Sequence, residues 1–441
     1  MGPFLASAAR RLGEPAVRSA DTGADWRAAA GRFACDLAAA PGTAVPVAID
    51  APEPLAYAAH AVAALVAGRS ILLCNPHWTA PERAAAEALR HAPPSRSDLP
   101  PDSAPAILVA TGGSGGTLRF ATHTPATLAA AAAALQAFRS GAPLHSLCLL
   151  PLHHISGFQQ LVRALATGGD LLLADWHSVA EGRRPALPAA AGGWTLSLVP
   201  TQLQRLLADP AATSWLREFG AILLGGAPAG AALLERARAE QLPVAIAYGA
   251  SEFGAAIAVQ PPAEFLAGET GLRPLPHARL SILDSDTAVP LPGEAVGRIS
   301  VAAPSLFLGY WPARRPPGPW HTDDLGRLDT AGRLHVIGRA DEAINTGGEK
   351  VQPAEVEAAL RATGAFSDVV VCGTPDPRWG ECVTALFPAG DAPELARVER
   401  LLRAELGAHK LPRRWVPVAA WPRTAQGKTD RAALRRTAAG A

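Results

Sequence analysis

The chain has 441 residues, 49% of them hydrophobic, and its 40 basic and 39 acidic residues leave a formal charge of +1. That length predicts two or three domains, and the balanced charge, with no Lys/Arg run among aromatics, excludes a dedicated nucleic-acid binder. No apolar run reaches the roughly 18–20 residues of a membrane span. Cys35, Cys74, Cys148, Cys372 and Cys382 are scattered and form no C-x-x-C pair, which fits a reducing compartment. Met1-Gly-Pro-Phe-Leu-Ala lacks a basic stretch before an apolar one, so no signal peptide and a cytoplasmic location are expected. Only Lys350, Lys410 and Lys428 are lysines, so 37 of the 40 basic residues are arginine (40 − 3). A lysine kept in such a chain can be there for its compact charge, or by chance.

In chain order, residues 1 to about 40 read as helical, with Trp26, Phe33 and Leu37 at helical spacing. Strand Val45–Ile49, Ala-rich helix Pro54–Ala67 and strand Ser70–Cys74 follow, then a Pro/Ser-rich loop from His91 to Pro105. An apolar run, Ala106–Ala110, leads into Thr111-Gly-Gly-Ser-Gly-Gly-Thr117, and a β-prone stretch follows to His123. Thr124-Pro125 is an N-cap with proline at the first helical position, opening an Ala/Leu helix to Phe138. Next come strand Leu147–Leu150, Pro151-Leu-His-His-Ile-Ser-Gly157, a helix near Gln160, strand Asp170–Ala174 and a loop over 181–193. Strand Thr195–Val199 precedes a helix from Pro200, and two further strands end at Gly225-Gly-Ala-Pro228 and Tyr248-Gly-Ala-Ser-Glu252. From about 270 short strands alternate with turns, and Pro312 to Pro319 is a surface loop. Residues 351–441 predict helix, strand, strand, helix and a polar tail. The expected fold class is α/β: a large N-terminal domain of layered α/β subdomains with a β-rich subdomain, then a small mobile C-terminal α+β domain.

The glycine loop admits three readings. Its glycines (Gly112, Gly113, Gly115, Gly116) let backbone N–H groups approach an anion, and Thr111, Ser114 and Thr117 add hydroxyl donors, so a phosphate cradle is one. Gly112-Gly-Ser-Gly-Gly116 also matches the G-x-S-x-G nucleophile elbow, but that motif needs a helix after it. A plain turn is the third. Walker A is excluded because no Gly-Lys-Ser/Thr closes the loop.

Five stretches in order carry a more specific signal: this loop, Tyr248-Gly-Ala-Ser-Glu252, His321-Thr-Asp-Asp-Leu-Gly-Arg327, the run from Gly338 to Glu357, and Pro422-Arg-Thr-Ala-Gln-Gly-Lys-Thr-Asp-Arg431. Together they resemble the adenylate-forming superfamily of acyl- and aryl-CoA ligases, luciferases and carrier-protein adenylation domains. The resemblance implies a carboxylate joined to ATP as acyl-AMP, with pyrophosphate released, then transfer to a thiol, usually CoA. It implies that Lys428 bridges carboxylate and α-phosphate, that Glu252 is the Mg²⁺ carboxylate, and that Ser251 meets the α-phosphate. Tyr248 and Gly249, with Gly225, Gly226 and Ala227, would border adenine; Asp324 and Arg339 would meet ribose or phosphate. His154 would close the pocket between carboxylate and thiol tunnel, with His153 an open competitor. Asp341 would be a hinge between residues 1–338 and 342–441, within a linker of 339–341, and Gly347 and Gly348 would face CoA.

The family loop usually continues with proline and lysine; this chain has Leu118 and Arg119, and Arg119 could still neutralise phosphate. The loop, with Pro151–Gly157 and Asn75-Pro-His-Trp78, is similar to o-succinylbenzoate–CoA ligases of the cyanobacterial and plant type, which serve menaquinone and phylloquinone synthesis. A second carboxylate on the acid would want a cation; Arg163, Arg205 and Arg273 are candidates. Another aryl- or acyl-CoA ligase, a stand-alone carrier-protein adenylation enzyme and a degenerate nucleotide-binding protein stay open. So does the oligomeric state, a homo-oligomer included.

Overall fold

The computed structural model describes residues 2–39, 45–92, 104–112, 118–187, 193–285, 287–346, 349–423 and 429–439. It forms two compact units: Met1–Gly226 with Gln241–Arg279 and Ala302–Trp320, and Ala227–Glu240 with Leu280–Val301 and His321–Ala441. The architecture is the mixed α/β one expected.

The first unit holds two sheets. The larger runs Val17–Ser19, Leu171–Leu173, His145–Cys148, Trp194–Leu198, Ala221–Leu224, Val244–Ala250, Ala255–Gln260, Arg273–Pro274. Its first six strands pair in parallel and the last two join antiparallel. Trp194–Leu198 and Ala221–Leu224 are buried at every position, as parallel strands covered on both faces must be. The smaller sheet runs Val47–Ile49, Ile71–Leu73, Ile107–Gly112, Leu118–His123. Its last pair is an antiparallel hairpin in register from Ile107 opposite His123 to Gly112 opposite Leu118. A strand, not a helix, therefore follows the glycine loop, which removes the nucleophile-elbow reading. Residues 113–117 of the loop lie outside the described residues.

The N-terminal stretch is not one helical region. Helices Pro3–Arg11 and Arg27–Ala39 flank the strand Val17–Ser19, because Pro15 stops helix growth and Val17 then pairs with Leu171. Helix Ala80–Arg90 was also not expected. Thr79 and Glu82 cap its first turn reciprocally. The predicted N-cap at Thr124 is present, its side chain accepting from the Thr127 backbone at the start of Pro125–Phe138.

The second unit also holds two sheets. One runs Arg279–Leu283, Gly297–Ala302, Trp320–Leu328, Leu334–Arg339, matching the expected β-rich texture. The other runs Glu349–Val351, Ile344–Thr346, Gly380–Pro388, Val370–Asp376, with Arg414–Val418 parallel to Gly380–Pro388. The expected polar tail instead supplies that last strand and the helix Arg431–Ala439. Val416, Val418, Leu434 and Ala438 are buried there against Val370 and Leu386. Leu434 and Ala438 stand four apart, so a helix otherwise rich in arginine still buries one apolar stripe.

Candidate active site

Two elements of the first unit are locked together around the glycine hairpin. His123 ends the return strand and is wholly buried. Its Nε2 lies 2.7 Å from the Ser251 carbonyl and its Nδ1 3.0 Å from Thr127 Oγ1. A carbonyl only accepts, so Nε2 carries the proton, and the neutral ring takes the Thr127 hydroxyl at Nδ1. Burial pushes this imidazole down to about 4, against a smaller opposing effect of the Ser251 carbonyl. His123 thus fixes the turn Ser251–Phe253, which carries Glu252. Thr111, at the other side of the hairpin, is buried, and its hydroxyl has no hydrogen-bond partner among the described residues.

Glu252 is held from a second direction. Residues 308–311 lie along the free edge of the return strand: Leu308 N donates to Thr122 O, Thr122 N to Gly309 O, and Trp311 N to Phe120 O, at 2.7–2.9 Å. Gly309 has φ +142°, and a Cβ there would sit 2.6 Å from the Ala313 carbonyl oxygen, so only glycine makes this path. The pairing sets Tyr310 opposite Ala121. The Tyr310 hydroxyl then donates to Glu252 Oε1 at 2.6 Å, and the Arg119 guanidinium lies 4.5 Å from the Tyr310 ring centroid. The Phe307 backbone N–H donates to the Glu252 carbonyl at 2.8 Å.

The strand end at Gly225 packs tightly. A Cβ there would lie 2.9 Å from the Ala247 carbonyl oxygen, so the neighbouring strand itself requires glycine. Gly226 has φ +80°. Tyr248 is half-buried at a bulge before Gly249, its ring 6.1 Å from that of Phe253. His154 is the N-cap of helix Ile155–Thr167, 4.4 Å from the His153 ring. His153 is buried, and burial first, then the neighbouring His154 and His77, holds it down to about 3. On the same helix Ser156, Gln160, Arg163 and Thr167 fall on one stripe. Ser156 is exposed, while Gln160 is fully buried and Arg163 is 6% exposed. No salt bridge or side-chain hydrogen bond engages the Arg163 guanidinium among the described residues. Its charged neighbour is another cation, Arg139, which donates to Thr195 Oγ1. Burial draws Arg163 down to about 10, so it stays protonated at neutral pH. The other two candidate cations differ: Arg205 is exposed beside Trp176, and Arg273 pairs with Glu264.

In the second unit Asp324 stands directly opposite Arg339 in the antiparallel pair. Arg339 Nη1 is 3.7 Å from Asp324 Oδ1, and Nη2 is 3.6 Å from Asp323. Ala227 belongs to this unit, and so does Asp341, in the turn Ala340–Glu342. Lys410 is tied to Glu355 at 2.6 Å, as a surface lysine can be. Gly347, Gly348 and Lys428 lie outside the described residues, as do Gly113, Ser114, Gly115, Gly116 and Thr117. The residues flanking Lys428 are anchored: Asp368 Oδ2 accepts from Thr429 Oγ1 at 2.7 Å and from Trp421 Nε1 at 3.0 Å.

Sequence reading missed His123, Tyr310 and the choice among the three arginines. The run from Thr117 to His123 was visible, but the long-range partner of His123 was not. Tyr310 is recruited by edge pairing, which leaves no local spacing signal.

Comparison with known proteins agrees with this picture. The sequence model of the AMP-binding enzyme family matches residues 82–311, and that of the AMP-binding enzyme C-terminal domain matches 355–428. A probable 2-succinylbenzoate–CoA ligase of Mycobacterium tuberculosis is 36% identical over 348 residues, covering 76% of this chain and 85% of the relative. A 2-succinylbenzoate–CoA ligase of Enterococcus faecalis is 30% identical over 296 residues, covering 64% of this chain and 59% of the relative. The fold is shared with the o-succinylbenzoate CoA synthetase MenE of Bacillus subtilis, solved with the acyl-adenylate OSB-AMP: TM-score 0.82, 22% identity, 99% of this chain and 98% of that one. It is shared too with ATP-bound MatB of Rhodopseudomonas palustris: TM-score 0.81, 23% identity, 99% of both chains. The chain therefore belongs to the AMP-binding enzyme family and is an ATP-dependent ligase that works through an acyl-adenylate, forming AMP and pyrophosphate.

Proposed function

We propose that the acid is 2-succinylbenzoate and the acceptor CoA. One carboxylate oxygen attacks the α-phosphorus of ATP, the α–β phosphoanhydride bond breaks, and pyrophosphate leaves. The CoA sulfur then attacks the acyl carbon and AMP leaves. The observation that carries the substrate is Arg163. A buried guanidinium with no acidic partner among the described residues is unfavourable unless an anion joins it. It lies on the helix that begins at His154, beneath the exposed Ser156. A benzoate with a second carboxylate on a short arm offers one anion to ATP and the other to Arg163. The named ligase activity of the curated relatives supports the same choice.

The remaining roles follow from the chemistry. Like charges repel when a carboxylate approaches a phosphate, so donors and cations must stand ready. We assign Lys428 to the carboxylate and α-phosphate, the hairpin from Thr111 to Thr117 with Arg119 to the leaving phosphates, and Ser251 to the α-phosphate. The buried Thr111 hydroxyl, without a partner among the described residues, suits a phosphate oxygen. Gly225, Gly226, Ala227, Tyr248 and Gly249 would border adenine. Asp324 and Arg339 suit ribose, since their loose, half-exposed pair is easily opened. His154, at a half-buried helix N-cap, is the better gate than buried His153. Asp341 remains the proposed hinge between residues 1–338 and 342–441, which would turn the Gly347-Gly348 face toward CoA for the second step.

Mg²⁺ takes one or two protein carboxylates and fills its remaining positions with phosphate oxygens and water. The residues fit: Glu252 offers one carboxylate, of which Tyr310 engages only Oε1. When bound, the ion offsets the triphosphate charge. Glu252 would hold it.

The test is an acid panel with ATP and either CoA or a carrier protein, read as pyrophosphate release and thioester mass. 2-Succinylbenzoate should give the highest kcat/KM, with benzoate and fatty acids far below. Equal turnover of a monocarboxylic aryl acid would refute the substrate, and transfer to a carrier protein but not to CoA would refute the acceptor.

A further inference from the structure

Tyr310 has no place in the roles above, yet its contacts single it out. The backbone of Glu252 is fixed twice, by His123 on the adjacent Ser251 carbonyl at 2.7 Å and by Phe307 N on its own carbonyl at 2.8 Å. Its carboxylate is fixed once, by the Tyr310 hydroxyl on Oε1 at 2.6 Å. No other group among the described residues holds that carboxylate. A phenol at this distance makes a strong, charge-assisted bond. The Arg119 guanidinium over the Tyr310 ring draws electron density from it and makes the hydroxyl a better donor. Tyr310 itself is wedged against Phe307 and Trp320, at 5.0 and 6.2 Å between ring centroids, so it cannot swing freely.

The consequence concerns which cation Glu252 accepts. Ca²⁺ is large and commonly takes both oxygens of a carboxylate; Mg²⁺ is small and is satisfied with one. A carboxylate whose Oε1 is already committed to a phenol has one oxygen to give. We propose that Tyr310 is a positioning residue that holds Glu252 in a one-oxygen pose, so that the nucleotide site selects Mg²⁺ over Ca²⁺, and that Arg119 strengthens this hold. The inference rests on Glu252 being the metal carboxylate. It also gives Arg119 a purpose where the resembled family has lysine: a planar guanidinium lies flat on a ring, and an ammonium does not.

The experiment measures Mn²⁺ bound to the full chain with a non-hydrolysable ATP analogue, by electron paramagnetic resonance, and its displacement by Mg²⁺ and by Ca²⁺. Tyr310→Phe should lower the Mg²⁺ over Ca²⁺ preference about tenfold, the low end for losing a hydrogen bond to a charged group. Arg119→Ala should lower it part of the way, and Arg119→Lys should resemble Arg119→Ala. A preference within twofold of wild type in Tyr310→Phe overturns the proposal. If Tyr310→Phe does not fold, Arg119→Ala decides alone, and an unchanged preference there overturns it. Glu252→Gln separates the two layers. Wild-type Mn²⁺ binding in Glu252→Gln would sink the metal assignment and this inference with it. Weakened binding there, beside an unchanged preference in Tyr310→Phe, would sink this inference only.

Discussion

Replacing Arg163 by methionine should make the protein more stable and less active at once. Burial draws the guanidinium from its ordinary value down to about 10, which at ~1.36 kcal/mol per tenfold change is a penalty on the order of a few kcal/mol. The sign follows from linkage. A base with a lowered folded pKa is disfavoured in the folded state below that value, and the penalty lifts only as pH rises from about 10 toward the ordinary arginine value. At neutral pH the penalty is therefore in force. Methionine has similar reach and no charge, so Arg163→Met should raise unfolding stability by roughly 1–3 kcal/mol, as replacing unpaired buried ions often does. The same change removes the cation proposed for the second carboxylate. Losing one or two charge-assisted hydrogen bonds should lower kcat/KM for 2-succinylbenzoate by about 10²–10³-fold and leave slow turnover of a monocarboxylic acid unaffected. Urea unfolding without ligand gives the first quantity and pyrophosphate release the second. A thermal shift with the diacid, present in wild type and absent in the variant, links the two. A variant that unfolds more easily would show that the guanidinium has a structural role. Unchanged selectivity would remove it from the acid pocket.

Three further outcomes are expected. Lys428→Ala should abolish acyl-AMP formation, read by pyrophosphate exchange, while thioester formation from supplied acyl-AMP largely survives; equal loss of both would reject a lysine that serves the first step alone. His123 and His153 are held down to about 4 and about 3, so stability should be full above pH ~6.5 and fall as pH drops from 6.5 toward 4, where the unfolded chain takes up protons the folded one refuses. Urea unfolding at several pH values should show that fall, and His123→Gln should remove about one proton from the uptake. The guanidinium groups of Arg378 and Arg413 lie 4.9 Å and 4.2 Å from the Trp379 ring centroid, and Trp379 precedes Gly380, which pairs with Thr346, the residue before the two glycines proposed to face CoA. That aromatic and its cations suit the phosphorylated nucleotide end of CoA, so Trp379→Ala should raise the KM for CoA about tenfold and leave pyrophosphate exchange intact. An unchanged KM would move the nucleotide elsewhere.

Elements with a local cause were legible in the sequence. The hairpin followed from β-prone runs around the glycines, and the helix Pro125–Phe138 from Thr124 and Pro125. Helix Ala80–Arg90 was legible too but overlooked, since Thr79 and Glu82 form the usual cap pattern. Strand Arg414–Val418 was not: it contains Pro417 and is defined by its partner Gly380–Pro388 rather than by its own composition. The site divides the same way. Motif residues assigned to the proposed site, such as Glu252, Asp324 and Lys428, could be picked out because their spacing is local. Arg163 could not be told from Arg205 and Arg273 in the sequence, since any arginine is charged; burial and the lack of a partner among the described residues set it apart. Tyr310 and His123 act through residues more than fifty positions away.

The strip at residues 308–311 also seals the open side of the four-stranded sheet. Without it, the backbone of Leu118–His123 would offer unpaired N–H and C=O groups to any passing chain. Gly309 alone allows that strip to turn as it does, so Gly309→Ala should betray itself first as turbidity on storage, before any kinetic constant is measured.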